Sequence, residues 1–91
     1  SMSSIRLKAL IVDDEKAIRR FLRSTLVAED FEVVEAETIA EARAVAEKLR
    51  PDLVVLDLGL PDGDGSDLIE PFIALCKPAI LVLSALDEEA R

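Results

Sequence analysis

The stretch Leu53-Val54-Val55-Leu56-Asp57-Leu58-Gly59-Leu60-Pro61-Asp62-Gly63-Asp64-Gly65 decides how the chain is built. Leu53 to Leu56 is short and wholly apolar, the pattern of a parallel strand covered on both faces. It stops at Asp57. The segment Gly59 to Gly65 then holds all three glycines of the chain, which predicts an irregular loop. Asp62 and Asp64 are expected to shape that turn. A calcium-binding loop starting at Asp62 fails, because Asp67 stands where glycine is needed and Ile73 where glutamate is needed.

Outward from this point the chain alternates two hydrophobic periods. Leu7 to Val12 reads as a strand followed at once by Asp13-Asp14-Glu15. Ile18, Phe21, Leu22 and Leu26 recur at helical spacing, which places Arg19, Arg20 and Arg23 on a solvated helix face. Phe31 to Ala36 alternates apolar and acidic residues, as an edge strand with a wet side does. Thr38 and Glu41 form a capping box for a helix whose apolar stripe is Ile39, Ala42, Val45, Ala46 and Leu49, and Pro51 ends it. Ser66 to Cys76 reads as a helix in which Pro71 sits awkwardly, so a kink or a displaced start is expected. After Pro78, Ala79 to Leu83 is a second wholly apolar strand, suited to a sheet interior, and Ser84 closes it. Strands alternating with helices mean a parallel sheet with right-handed crossovers. Phe21, Phe31 and Phe72 are expected in the core, and Cys76 is expected to be an ordinary buried thiol.

Composition narrows the function. Ninety-one residues make one thin-cored domain, too small for a multidomain enzyme. A net charge of −8 repels nucleic-acid phosphates, so direct DNA binding is not expected. No apolar run approaches the roughly 20 residues that span a bilayer. One cysteine cannot make an internal disulfide, which fits a reducing cytoplasm. Ser1–Met2 reads as a tag-cleavage scar, so residues 1–4 are set apart from a domain over 5–91. Asp87, Glu88 and Glu89 read as the acidic first turn of a helix. Ending there, the chain is expected to be a truncated domain lacking a further helix, strand and helix.

The chemistry lies at the strand ends. In open parallel sheets ligands bind beyond the carboxyl ends of the strands. Here those ends carry Asp13 and Asp14, then Asp57, then Ser84. If the first and third strands are neighbours, three carboxylates converge, and like charges that close call for a cation. Mg2+ suits a few carboxylates plus water. With no histidine and one thiol, a zinc site is improbable.

Val12-Asp13-Asp14-Glu15, the run Leu56 to Gly65 and Leu83-Ser84-Ala85 together resemble the receiver (CheY-like) domain of two-component response regulators. The Leu56 to Gly65 run is similar to regulators of the OmpR/PhoB type, whose output is a winged-helix DNA-binding domain, and to the potassium-transport regulators. The resemblance implies a flavodoxin-like three-layer fold, cut to about four strands in the order 2-1-3-4. It implies that Asp57 is the phosphoacceptor and that Ser84 donates a hydroxyl to the phosphoryl group. Asp14 would ligate Mg2+ directly, Asp13 through water, and Asp57 with the Gly59 backbone carbonyl would complete the set. It also implies a sensor histidine kinase as partner, a cytoplasmic location, no turnover enzyme, and DNA contact only through an output domain absent from this chain. Aspartyl phosphate formation needs only a carboxylate nucleophile, a metal and charge neutralisation.

Two departures matter. The family's lysine and aromatic switch residue would lie beyond Arg91, and Lys77 is no substitute because it precedes the fourth strand. A four-stranded remnant would expose a strand edge, so the competing expectation is a module that self-associates as a homodimer or domain swap without phosphoryl chemistry. A phosphatase with an aspartate nucleophile ranks last, since its signature needs Asp where Gly59 stands.

Overall fold

The structure is a computed structural model that describes residues 5–83. Residues 1–4, Ser84 and the acidic turn expected at Asp87 to Glu89 lie outside the described residues.

Four parallel strands, β1 (Lys8–Val12), β2 (Glu32–Ala36), β3 (Leu53–Asp57) and β4 (Ala79–Leu83), form a sheet in the order β2-β1-β3-β4. This is the expected 2-1-3-4 arrangement. In register, Val12 sits opposite Ala36 on one side and Leu56 on the other, and Asp57 sits opposite Leu83. Helices α1 (Lys16–Ala28), α2 (Ile39–Leu49) and α3 (Ile69–Cys76) connect the strands.

Alternation along the strands builds two faces. Leu10, Val12, Val54 and Leu56 face one way into a core with Ala36, Ala42, Ala46, Leu60, Leu68 and Phe72. Ile39, Val45 and Leu49 of α2 pack against it, as the stripe predicted. Ala9, Ile11 and Val55 point to the opposite face, where α1 packs on β1 and β2. All three are buried, Ile11 and Val55 each contributing about 1.5–3 kcal/mol by leaving water.

The helix ends follow local chemistry. The Glu41 N–H donates to Thr38 Oγ1 at 3.0 Å, and the Glu41 carboxylate accepts from the Glu37 N–H at 2.7 Å. Pro71 falls in the first turn of α3, because a short 3-10 turn (Gly65–Leu68) delays the helix start. A first-turn N–H has no partner within the helix, so proline is tolerated there. The displaced start resolves the awkward proline. The cap of the 3-10 turn is Asp64, whose carboxylate accepts from the Ser66 N–H at 2.9 Å.

Helix α1 corrects the amphipathic reading. Phe21 is 67% exposed and Arg19 only 8% exposed, the reverse of expectation. The reason lies in β2. Glu35 faces α1, and Arg19 Nε donates to it at 2.8 Å. Arg23 pairs with the other oxygen of Glu35. Two guanidinium groups thereby turn toward the sheet edge, and Phe21 is rotated outward. Phe72 is buried and Phe31 half-buried, so of the three aromatics only Phe21 departs from the core expectation. β4 also differs from an interior strand: among the described residues it is the sheet edge, with Leu81 56% and Val82 38% exposed.

These burials set a contrast that urea unfolding followed by far-ultraviolet circular dichroism can check. Phe72→Ala is expected to cost about 3–5 kcal/mol, whereas Phe21→Ala is expected to cost under about 1 kcal/mol. Equal losses would show that α1 is rotated from the orientation described.

Candidate acidic site at the strand ends

Asp13 and Asp14 leave the carboxyl end of β1, and Asp57 is the last residue of β3. Because β1 and β3 are hydrogen-bonded neighbours, the three side chains meet. One carboxylate oxygen from each lies within 4.8 Å of the others. Asp13 is buried, Asp57 half-buried and Asp14 exposed, so the cluster opens to solvent on one side.

Asp13 is held at three points. Its N–H donates to the Ala36 carbonyl at 3.0 Å. Its carbonyl accepts from Arg19 Nη1 at 2.8 Å. Its Oδ1 accepts from the Glu15 N–H at 2.7 Å. Burial pushes the Asp13 carboxyl above the ordinary carboxylate range, against the lowering effect of the Glu15 N–H. Repulsion from Asp57, Glu15 and Asp14 pushes it further the same way. Among the described residues the ion pairs join Arg19 and Arg23 to Glu35 and Glu37, and none reaches this cluster. Three oxygen donors without a protein cation suit a hard divalent ion that keeps several waters.

The loop after β3 completes the site. The Gly65 N–H donates to the Leu58 carbonyl at 2.7 Å. A Cβ on Gly65 would lie 2.2 Å from the Asp57 carbonyl oxygen, so only glycine permits this approach. Gly59 is different: it is exposed, with open space where a Cβ would stand. Any contribution from its carbonyl is therefore independent of its side chain. The Gly59 N–H reaches Asp57 Oδ1 only at a long 3.4 Å, so among the described residues the Asp57 carboxylate has no strong protein donor.

Asp62 and Asp64 lie outside the cluster, as turn-shaping residues should. Asp62 does more than bend the loop. Its two oxygens accept from the Ile39 N–H at 2.8 Å and the Ala40 N–H at 3.1 Å, at the start of α2. Those backbone donors hold its carboxyl below the usual range. The sequence carried no local sign of this clamp, because the partners are 22 and 23 residues apart. Nor did it mark Arg19 as part of the site. Lys77 precedes β4, whose first residue pairs with Leu53 at the start of β3, so it stands at the end of the sheet away from the carboxylates. Cys76 is half-buried against the Pro51 carbonyl, and burial pushes its thiol up, as an inert thiol requires.

Residues 9–91 match the family model described as the response regulator receiver domain. The chain belongs to this family. This receiver domain is 48% identical over 81 residues to the KDP operon transcriptional regulatory protein KdpE of Escherichia coli, covering 89% of this chain and 36% of that protein. It thus spans about a third of the length of that curated relative. Among solved structures it is similar to a response regulator from Burkholderia pseudomallei that holds a phosphorylated aspartic acid, a calcium ion and citrate. The identity there is 27% with a TM-score of 0.78, covering 84% of this chain and 45% of that one. It is also similar to the beryllofluoride-activated NtrC4 receiver domain dimer, at 32% identity and a TM-score of 0.74, covering 82% of this chain and 63% of that one. No helix among the described residues is long and apolar enough to cross a membrane.

The raised Asp13 carboxyl has a measurable sign. Its folded form disfavours the charge above the unfolded pKa near 3.8, so at neutral pH the cation-free receiver carries a destabilising anion there. Asp13→Asn is therefore expected to melt at a higher temperature than wild type without divalent ions. Added Mg2+ should raise the melting temperature of wild type and leave that of the variant nearly unchanged. For the loop, Gly65→Ala is expected to weaken Mg2+ binding in calorimetric titration, while Gly59→Ala retains it.

Proposed function

We propose that this receiver domain accepts a phosphoryl group on Asp57 from the phosphohistidine of a sensor histidine kinase, in a step that requires Mg2+. The observation that carries this reading is the meeting of Asp13, Asp14 and Asp57 within 4.8 Å, with no protein cation paired to them among the described residues. In this reading Asp14 would hold the metal directly and Asp13 through water, with Asp57 and the Gly59 carbonyl as the remaining protein ligands. When bound, the metal supplies charge neutralisation for the equatorial phosphoryl oxygens. A carboxylate oxygen of Asp57 forms the new P–O bond as the P–N bond of the donor breaks. The imidazole nitrogen keeps the electron pair and takes up a proton. By the family resemblance, Ser84 would donate its hydroxyl to a phosphoryl oxygen. The calcium ion and phosphorylated aspartic acid in the similar Burkholderia pseudomallei regulator support the assignment.

The domain is a phosphoacceptor and not a turnover enzyme; it assists only its own phosphorylation and dephosphorylation. The transcriptional-regulator names of its relatives support control of a DNA-binding output domain outside these residues, and a cytoplasmic location belongs to the same reading. The net charge of −8 argues against DNA contact by the receiver itself.

A second reading is favoured by β4, whose residues Leu81 and Val82 are exposed at the sheet edge among the described residues. Such an edge invites pairing with a second copy. Sedimentation over a range of concentrations tests it, and a monomer throughout would set it aside.

Intact-mass analysis after incubation with Mg2+ and acetyl phosphate tests the leading reading. A single phosphoryl adduct is expected, absent in Asp57→Asn and when the metal is chelated. A folded wild-type chain that takes up no adduct would overturn it.

A further inference from the structure

A buried arginine is costly unless every donor is used for something. Arg19 is 8% exposed and spends its guanidinium on three acceptors. Nε donates to Glu35 Oε1 at 2.8 Å, Nη2 to Glu37 Oε2 at 3.3 Å, and Nη1 to the Asp13 carbonyl at 2.8 Å. Pairing with Glu35 alone would tie α1 to β2, and Arg23 already makes that connection. The third bond is of another kind. It reaches past the strand to the backbone of a residue whose carboxylate stands in the acidic cluster. Together with the Asp13 N–H bond to the Ala36 carbonyl, it fixes both peptide groups flanking Asp13.

We propose that Arg19 is a positioning residue for the divalent-cation site: anchored by Glu35 and Glu37, its guanidinium holds the Asp13 carbonyl and so sets where the Asp13 and Asp14 carboxylates meet Asp57. This inference rests on the cation-binding part of the proposed function. The planar fork is what allows one side chain to serve a carbonyl and two carboxylates in fixed directions, and a lysine ammonium on a flexible stem lacks that geometry.

Electrostatics gives the test a decisive sign. Arg19 is a positive charge beside a site for a cation. If charge were all that mattered, removing it and leaving Glu35 and Glu37 less compensated would tighten cation binding. Positioning demands the opposite. Loss of an outer partner of a metal ligand typically weakens affinity by about 10–100-fold.

The experiment is calorimetric titration of the full chain with Mg2+, and with Mn2+ as a second probe. It compares wild type, Arg19→Met, Arg19→Lys, Glu35→Gln and the core variant Val54→Ala, each checked by circular dichroism at the titration temperature. The expected result is about a 10-fold loss of affinity in Arg19→Met. A smaller loss is expected in Arg19→Lys and Glu35→Gln, which keep a charge or an acceptor in place. Val54→Ala, destabilised in the core, should bind as wild type does. Should Arg19→Met fail to fold, Arg19→Lys and Glu35→Gln carry the comparison. Wild-type or tighter affinity in the folded Arg19 variants would overturn the positioning role while leaving the cation site intact. Absence of binding by folded wild type would overturn the cation site itself, and the inference with it.

Discussion

Parallel pairing of β1 with β3 forces three carboxylates into one small volume, and much of the surrounding structure answers to that repulsion. In water the three would separate. Here the peptide backbone denies them that freedom, because Asp13 and Asp14 leave one strand where Asp57 ends its neighbour. Burial makes the charge on Asp13 costlier still. Such an arrangement sets up an unfavourable interaction that a bound cation would relieve, so the strand order builds a cluster whose donors suit a hard ion.

Holding the cluster together takes bonds from several directions. The Asp13 peptide groups are fixed by Ala36 and Arg19, and its carboxylate by the Glu15 N–H. On the other side, Gly65 lets the loop press against the Asp57 carbonyl, where any larger residue would push it away. Asp62 fastens the same loop to the start of α2. The site is therefore preorganised by its neighbours, which suits chemistry whose main requirement is placed charge.

The inverted helix α1 belongs to the same logic. A helix over an all-apolar sheet would turn Ile18 and Phe21 inward. This one lies partly over β2, whose face toward it carries Glu35, and the favourable partner for a half-buried carboxylate is a guanidinium. Two arginines on one glutamate hold its carboxyl below the usual range, the Arg23 bond foremost. The exposed Phe21 is the geometric consequence.

Much of the molecule was legible in the sequence. The alternation of periods gave seven elements in order, the apolar run Leu53 to Leu56 gave a doubly covered parallel strand, and the strand ends named three aspartates that the fold brings together. These readings succeed because local pattern and burial coincide along a strand or helix. What the sequence left undecided depends on which element lies over which. The burial of Arg19, the outward turn of Phe21 and the Asp62 clamp on α2 each join residues far apart in the chain, and no periodicity encodes such a meeting. The need for glycine at position 65 and its dispensability at 59 likewise follow from one close backbone approach that exists only once β3 and its loop have folded together. By itself the sequence determined which residues carry the charge. The tertiary structure decided which of them are held, by what, and which stand free to bind.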